Sequence, residues 1–359
     1  MRIGVIGTGF ARRAQLPAFA ACDGARVTAI ASGRRENAER AAREFGIPFV
    51  ADDWRGLVAR EDVDLVSIVT PPSTHAAMTL AALDAGKAVL CEKPMAMSAG
   101  ETRRMLGRAR ESGRLALVDH ELRFLPARRL AREMIQSGEL GQVRHARFTY
   151  RADARAATDR PWDWWSDRAS GGGALGAIGS HAVDTLCWLT GARVSEVFCS
   201  LATHVRERPD SETGAPVPVT TDDEALLTFR LEGGAAAETA TGLVAVSVVE
   251  MGRSEHAVEV FGSEGALRVS GADGLWRSRR GMGEWREVEA ASAPLAPGMP
   301  DTEWSRGFTV FAREIVSALR EGRNSVEGAA TFDDGHRTQL VLDAARLSDE
   351  TGRRVSVKE

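Results

Sequence analysis

Apolar and polar positions along this chain follow two different periods, and the change between them divides it. In the first third, short apolar runs rich in β-branched residues stand at "RIGVIG", "RVTAIA", "DLVSIVT", "KAVLCE" and "RLALVD". Between them, Ala/Arg/Glu-rich segments repeat at the helical period over 12–21, 36–45, 73–85 and 98–111. Continuously apolar strands separated by amphipathic helices predict a parallel sheet covered on both faces. This βαβα region closes near Asp119, so one domain is expected over 1–120 and a second over 121–359.

After residue 120 the pattern changes. A helix over 126–136 precedes a strand, "VRHARFTYR", and then a glycine-rich stretch, "GGGALGAIGSHAVDTLCW", runs into a helix that stops at Gly191. Ser180 is expected to cap that helix. Alternating segments follow, with hairpin turns at Glu232-Gly233-Gly234 and Ser263-Glu264-Gly265. They predict an open, mostly antiparallel sheet with helices on one face. "LVAVSVV" is apolar at successive positions, which suggests a second subunit against the other face. Two stretches rich in proline, glycine and small residues, "RERPDSETGAPVPVT" and "EAASAPLAPGMPDTEW", read as loops. Helices return at 308–320 and 332–351.

Composition narrows the function classes. A length of 359 residues favours two domains over one. A net charge of −4 argues against general attraction to nucleic acid or acidic membranes. The arginine clusters near Arg103 and Arg128 read as solvated helix faces. Cys22, Cys91, Cys187 and Cys199 form no CxxC pair and no metal spacing, so free thiols and no metal are expected. The N-terminus opens directly on a strand, and no apolar run approaches membrane-spanning length. A cytoplasmic location is the expectation.

Candidate chemistry begins at "GVIGTGF". Gly7 and Gly9 stand where the first strand meets the first helix, with Thr8, Phe10 and Ala11 completing the turn. Glycines there allow a pyrophosphate to approach the helix N-terminus. The third small residue of the usual pattern is replaced by Arg12. After the second strand, Ser32, Arg34 and Arg35 occupy the place of the acidic residue that binds an NAD ribose. A hydroxyl and guanidinium groups suit a 2′-phosphate, so NADP(H) is expected over NAD(H). A fourth strand ends in Glu92-Lys93-Pro94, and a lysine there projects into the crevice where ligands of open α/β sheets bind.

Taken in order, "GTGF", "VTPPSTHAAMTLAALDAGKAVLCEKPMAMS" and "GGGALGAIGSHAVD" resemble the glucose–fructose oxidoreductase / inositol dehydrogenase / rhizopine-catabolism (Gfo/Idh/MocA) family. The resemblance covers nearly the whole chain. It implies a Rossmann dinucleotide-binding domain followed by an α/β domain whose open sheet serves as a dimer or tetramer interface. It also implies oxidation or reduction of hydroxyl groups on sugars, cyclitols and related polyols. Carried over by position, Lys93 contacts the nicotinamide and the reacting oxygen. Thr70, Pro71, Pro72 and His75 line the cofactor, Glu92 belongs to the same cofactor set, and His181 is the acid/base. Asp184 lies one turn further on, and Arg123 of "HELRF" lies near nicotinamide and substrate.

Two departures stand out. Ala177 replaces an aspartate four residues before His181, and "RPWDWWSDR" lacks an arginine directly after a tryptophan. Trp162, Trp164 and Trp165 either stack on a sugar ring or the nicotinamide, or pack under the glycine-rich segment. Gly171, Gly172, Gly173 and Gly179 are expected to let a ligand lie close to the backbone beside His181. The function expected is therefore an NADP(H)-dependent polyol or sugar oxidoreductase. Two alternatives stay open: the same chemistry on a trans-dihydrodiol or dicarbonyl, and a catalytically silent dinucleotide-binding regulator.

Overall fold

The structure, a computed structural model, describes residues 1–252 and 254–358. It divides into two compact units, Met1–Leu125 with Ala293–His336, and Pro126–Ser292 with Arg337–Glu359. The first unit thus takes back a segment that chain order would leave with the second.

The first unit holds a seven-stranded sheet ordered 330–331, 116–118, 88–91, 65–68, 2–6, 26–31 and 49–50. All neighbours are parallel except Ala330–Thr331, which runs antiparallel to Ala116–Val118. Leu65–Ile68 and Ala88–Cys91 are buried at every position, as a sheet covered on both faces requires. Helix Arg35–Phe45 turns Ala38, Ala41 and Ala42 inward and ends on Gly46 in the left-handed region. Helix Ala99–Ser112 is capped by Ser98, whose Oγ accepts the Glu101 N–H, and the Glu101 carboxylate reaches back to accept the Met97 N–H. Helix Glu303–Arg320 explains the returning segment. Its stripe of Phe308, Phe311, Ala312, Ile315 and Val316 is buried in the same core as Phe19 and Phe124. Phe311 stacks on Phe124 at 4.3 Å and Phe308 meets Phe19 edge-on at 5.6 Å. The period of a helix tells which face is apolar but not which partner covers it, so the sequence boundary at 120 missed this return.

The second unit is built on a nine-stranded sheet ordered 286–287, 274–279, 265–270, 255–262, 143–151, 236–247, 224–232, 193–202 and 355–356. Only Val143–Arg151 and Ala236–Ser247 pair in parallel. Along Glu224–Glu232 the residues Ala225, Leu227, Phe229 and Leu231 face the core in strict alternation. Helices Pro126–Gln136 and Ser180–Thr190 are tied together by Arg128 Nη1 donating to Thr185 Oγ1 and Gln136 Nε2 donating to the Leu189 carbonyl. On the other face, Phe198 and Leu226 are 40% and 44% exposed on neighbouring strands. The first expected loop is a hairpin instead, with Glu207–Pro209 paired to Pro216–Pro218. Its prolines sit on a two-stranded ribbon, where a missing N–H is tolerated.

Candidate active site

Four loops of the first unit leave the carboxyl ends of adjacent parallel strands, and they carry most of the expected cofactor residues. After Arg2–Ile6, Gly7 adopts φ +105°, and a Cβ there would lie 2.0 Å from the Val69 carbonyl oxygen. The fold itself demands that glycine. Gly9 is the opposite case: a Cβ there would meet nothing within 4 Å. Its smallness leaves an open cradle at the turn, which fits a dinucleotide pyrophosphate. The helix then starts as a π turn over Ala11–Gln15, closed by the Leu16 N–H on the Ala11 carbonyl. Ala11 is fully buried, while Arg12 swings outward and its Nε donates to Glu44 at 2.8 Å.

Past Arg26–Ala31, Ser32 is half-buried and Arg34 is exposed. Arg35 is engaged with Glu39 at 2.8 Å and with Asp52. A cavity of about 400 Å³ adjoins the turn, lined by Thr8, Gly9, Arg12, Arg13, Asn37 and Arg40 among others. Arg13, Asn37 and Arg40 escaped the sequence reading because they sit on wet helix faces. Nothing in the pattern separates such positions from ordinary solvated ones.

In the loop after Leu65–Ile68, Thr70 Oγ1 lies 2.7 Å from Thr74 Oγ1, and the Thr74 hydroxyl donates to the Pro71 carbonyl. Pro72 and His75 are buried. The His75 ring bridges two loops, with Nε2 2.8 Å from the Thr70 carbonyl and Nδ1 3.0 Å from the Pro94 carbonyl. Burial pushes its pKa down, against the pull of those carbonyls. After Ala88–Cys91, Lys93 is half-buried and joined to Pro94 by a cis peptide.

The Glu92 side chain turns inward. Gln15 Nε2 donates to Glu92 Oε1 at 3.1 Å and to Asp119 Oδ2 at 2.9 Å, while Ser67 Oγ donates to Gln15 Oε1 at 2.6 Å. Burial raises the pKa of both carboxyl groups. Lys93 partly offsets this for Glu92, whereas Glu92 and Glu121 drive Asp119 up further. Gln15, Ser67 and Asp119 were missed, although a glutamine among the inward positions of the first helix was a readable signal. Arg123 is buried, with its guanidinium 3.6 Å from Asp334. Burial pushes the Asp334 carboxyl up, but Arg123 and the Thr331 N–H and hydroxyl together hold it below its usual range.

In the second unit, His181 and Asp184 share one face of helix Ser180–Thr190, and both are buried. Ser180 does not cap this helix. A π turn over Leu175–Gly179 runs straight into it, so Ser180 already has helical neighbours on both sides. Two of the glycines before it, Gly172 and Gly173, answer to the protein's own chain. A Cβ on Gly172 would lie 2.2 Å from the Trp165 carbonyl oxygen, and one on Gly173, at φ +105°, would lie 2.4 Å from Asp222 Oδ1. Asp222 Oδ2 accepts the Leu175 N–H at 2.6 Å. Trp162 Nε1 donates to the Pro218 carbonyl, and the Arg155 guanidinium lies over the Trp165 ring at 4.9 Å. Trp164 remains 38% exposed.

A glycine turn, a cradle beside it and a lysine two strand ends away on the same parallel sheet define a Rossmann-type dinucleotide-binding protein. A family model described as "Oxidoreductase family, NAD-binding Rossmann fold" matches residues 1–120, and the GFO/IDH/MocA C-terminal domain matches 129–268. The chain belongs to the Gfo/Idh/MocA oxidoreductase family. It is 33% identical over 256 residues to levoglucosan dehydrogenase of Pseudarthrobacter phenanthrenivorans, a match covering 66% of this chain and 65% of that protein. The chain thus spans just under two thirds of that relative. Among solved structures, an oxidoreductase domain protein from Kribbella flavida superimposes with a TM-score of 0.88 at 32% identity, covering 99% of each chain. Levoglucosan dehydrogenase in complex with NADH and levoglucosan gives 0.87 at 29% identity, with 100% of each chain covered.

Proposed function

We propose that this chain is an NADP(H)-dependent oxidoreductase acting on a hydroxyl- or keto-bearing carbon of a sugar, cyclitol or related polyol. The observation that carries the proposal is the open cradle at Gly9 one strand-end away from the loop that carries Thr70 and two from Lys93. Family membership and the levoglucosan dehydrogenase neighbour support the substrate class, with anhydro-sugars a natural first trial. When bound, a nicotinamide dinucleotide supplies the hydride acceptor or donor.

Gly7, Thr8, Gly9, Phe10 and Ala11 hold the pyrophosphate, and Thr70, Pro71 and Pro72 line the adjoining wall. Lys93 holds the reacting oxygen and stabilises negative charge developing on it. His181 takes or returns the hydroxyl proton, a task suited to an imidazole because its ordinary titration lies near cellular pH. Asp184 binds a neighbouring hydroxyl or orients that ring, and Arg123, Trp162 and Trp165 border the substrate. The preference for NADP(H) is a separate part of the proposal, since the levoglucosan dehydrogenase neighbour carries NADH. It rests on Ser32, Arg34 and Arg35, and on the cavity where Arg12, Arg13 and Arg40 face a single carboxylate, Glu44.

The exposed Phe198 and Leu226, beside half-buried Leu243 and Ala245 on the same sheet face, support a homodimer or homotetramer through that face. Among the described residues no helix is long and apolar enough to cross a membrane. The buried thiols of Cys22, Cys91 and Cys199 agree with a reducing cytoplasm.

Titrating NADPH against NADH, then screening polyols, keto-sugars and anhydro-sugars with the tighter cofactor, tests the reading. Lys93→Met and His181→Ala are each expected to lower kcat by roughly 100-fold or more while leaving cofactor affinity largely intact. Full turnover in either variant would overturn its assigned role.

A further inference from the structure

The first unit contains a polar cluster that the reading above does not use. Ser67, Gln15, Asp119 and Glu92 come from four separate segments, and all are buried; the first three are completely inaccessible. Two carboxyl groups share one amide donor, Gln15 Nε2, and the amide is fixed in that sense because Ser67 Oγ donates to its oxygen. Among the described residues, Asp119 Oδ1 has no hydrogen-bond partner. Main-chain bonds fix the two acids side by side: the Glu92 N–H donates to the Ile68 carbonyl and the Asp119 N–H to the Cys91 carbonyl.

We propose that Glu92 and Asp119 hold a single proton between them and, with Gln15 and Ser67, act as a positioning unit for Lys93. The inference rests on the reading of Lys93 as the group that holds the reacting oxygen. Two anions buried side by side on one shared amide donor repel each other, so one of them keeps its proton. Lys93 is adjacent to Glu92 in the chain and favours the anion there, while Glu121 adds to the pressure on Asp119. The proton therefore resides on Asp119 and the charge on Glu92. Cys91, Lys93 and Glu121 act on the pair, and buried His120, next to Asp119 in the chain, is a further titratable group there. Cys91 is fully buried, and its thiol is pushed far up by burial, so it stays neutral.

In this state the cluster carries one negative charge, matched to the one positive charge of Lys93. Loss of the Asp119 proton would double that charge and draw the lysine back toward its own strand, away from a ligand. The π turn over Ala11–Gln15 has a use here. It sets Gln15 at the inner end of the turn that begins at Gly7, so the element cradling the cofactor also ties down the base of Lys93.

The test reads the proton directly and then its effect. Infrared difference spectra of the whole protein at neutral pH are expected to contain the carbonyl stretch of a protonated carboxyl, shifted in D₂O and absent in Asp119→Asn. A carboxyl that holds its proton above its unfolded titration range stabilises the fold at low pH, and that stability is lost as pH rises through the folded value. Melting temperature should therefore fall between mildly acidic and alkaline pH in the wild type and fall less in Asp119→Asn. For catalysis, Gln15→Leu and the double variant Glu92→Gln/Asp119→Asn are expected to lower kcat by roughly 10- to 100-fold with little change in KM for cofactor. Asp119→Asn, which keeps a donor facing Glu92, should exceed Asp119→Ala in kcat and move the alkaline limb of the pH–rate profile upward. No protonated-carboxyl signal, or an unaltered signal in Asp119→Asn, would overturn the shared proton. An unmoved pH profile in Asp119→Asn would overturn the positioning role. The infrared and melting readouts need no substrate, so they stand even where the Lys93 assignment fails.

Discussion

The two glycine-rich segments of this molecule look alike on paper and have opposite causes. In the first unit, Gly9 is surrounded by open space, so nothing inside the protein asks for it. In the second, Gly172 and Gly173 lie hard against Trp165 and Asp222, so the chain alone accounts for them. An open glycine at a helix start points outward to a ligand. A crowded one points inward to packing. Gly172 and Gly173 thus serve packing ahead of the helix that carries His181, whereas Gly9 leaves open space in the other unit.

Alanine substitutions separate these cases, and the largest effect is expected where the backbone cannot give. Gly172→Ala and Gly173→Ala should each destabilise the second unit by about 3 kcal/mol or more, combining a clash with main-chain or carboxylate atoms and, at Gly173, a left-handed φ. Thermal or denaturant unfolding measures this, and wild-type stability in both variants would end the packing account. Gly9→Ala should leave stability within about 0.5 kcal/mol, yet weaken dinucleotide binding by roughly 10- to 100-fold. Unchanged cofactor affinity in a well-folded Gly9→Ala would remove the cradle.

A smaller effect sharpens the picture on the cofactor side. Arg13 and Arg40 border the cavity at the turn, while Arg35 is already engaged by Glu39 and Asp52. The double variant Arg13→Ala/Arg40→Ala should weaken NADPH by roughly tenfold and NADH by no more than about threefold. Equal losses for the two cofactors would mean that the cavity does not read the 2′-phosphate. Arg35→Ala should change the ratio less than this pair does.

Much of the first unit was legible because its signals are local. Strand runs, helix periods and the "CEKP" strand end depend on residues close in sequence, and helices such as Arg35–Phe45 and Phe332–Thr351 fall within a residue of expectation. Return of 293–336 to the first unit was not legible, since Phe308 and Phe311 announce a face without naming Phe19 and Phe124 as its partners. The π turns at 11–15 and 175–179 were missed because one wider turn of five residues leaves no periodic mark that separates it from α-helix. At the candidate site the residue types were readable while their directions were not. Glu92 stands in a surface-like motif, and its side chain points into the protein because Gln15 and Asp119 lie there.

The finest comparison turns on Asp222, which the sequence left unmarked inside "VTTDDEALL". Its carboxylate stands where a side chain on Gly173 would be and accepts the Leu175 N–H, so it helps to fix the π turn leading to His181. Burial raises its pKa, opposed by that bond and by Arg346 and reinforced by Asp223. A carboxyl raised in the folded state contributes stability that is complete below its unfolded value and is lost as pH rises through the folded one. Asp222→Asn keeps an oxygen to accept the Leu175 N–H and removes the titration. The variant should match the wild type at mildly acidic pH and equal or exceed it by no more than about 1 kcal/mol at alkaline pH, giving a flatter stability profile. A profile parallel to the wild type would show that Asp222 titrates as it does in the unfolded chain, and the crowding at Gly173 would then be steric alone.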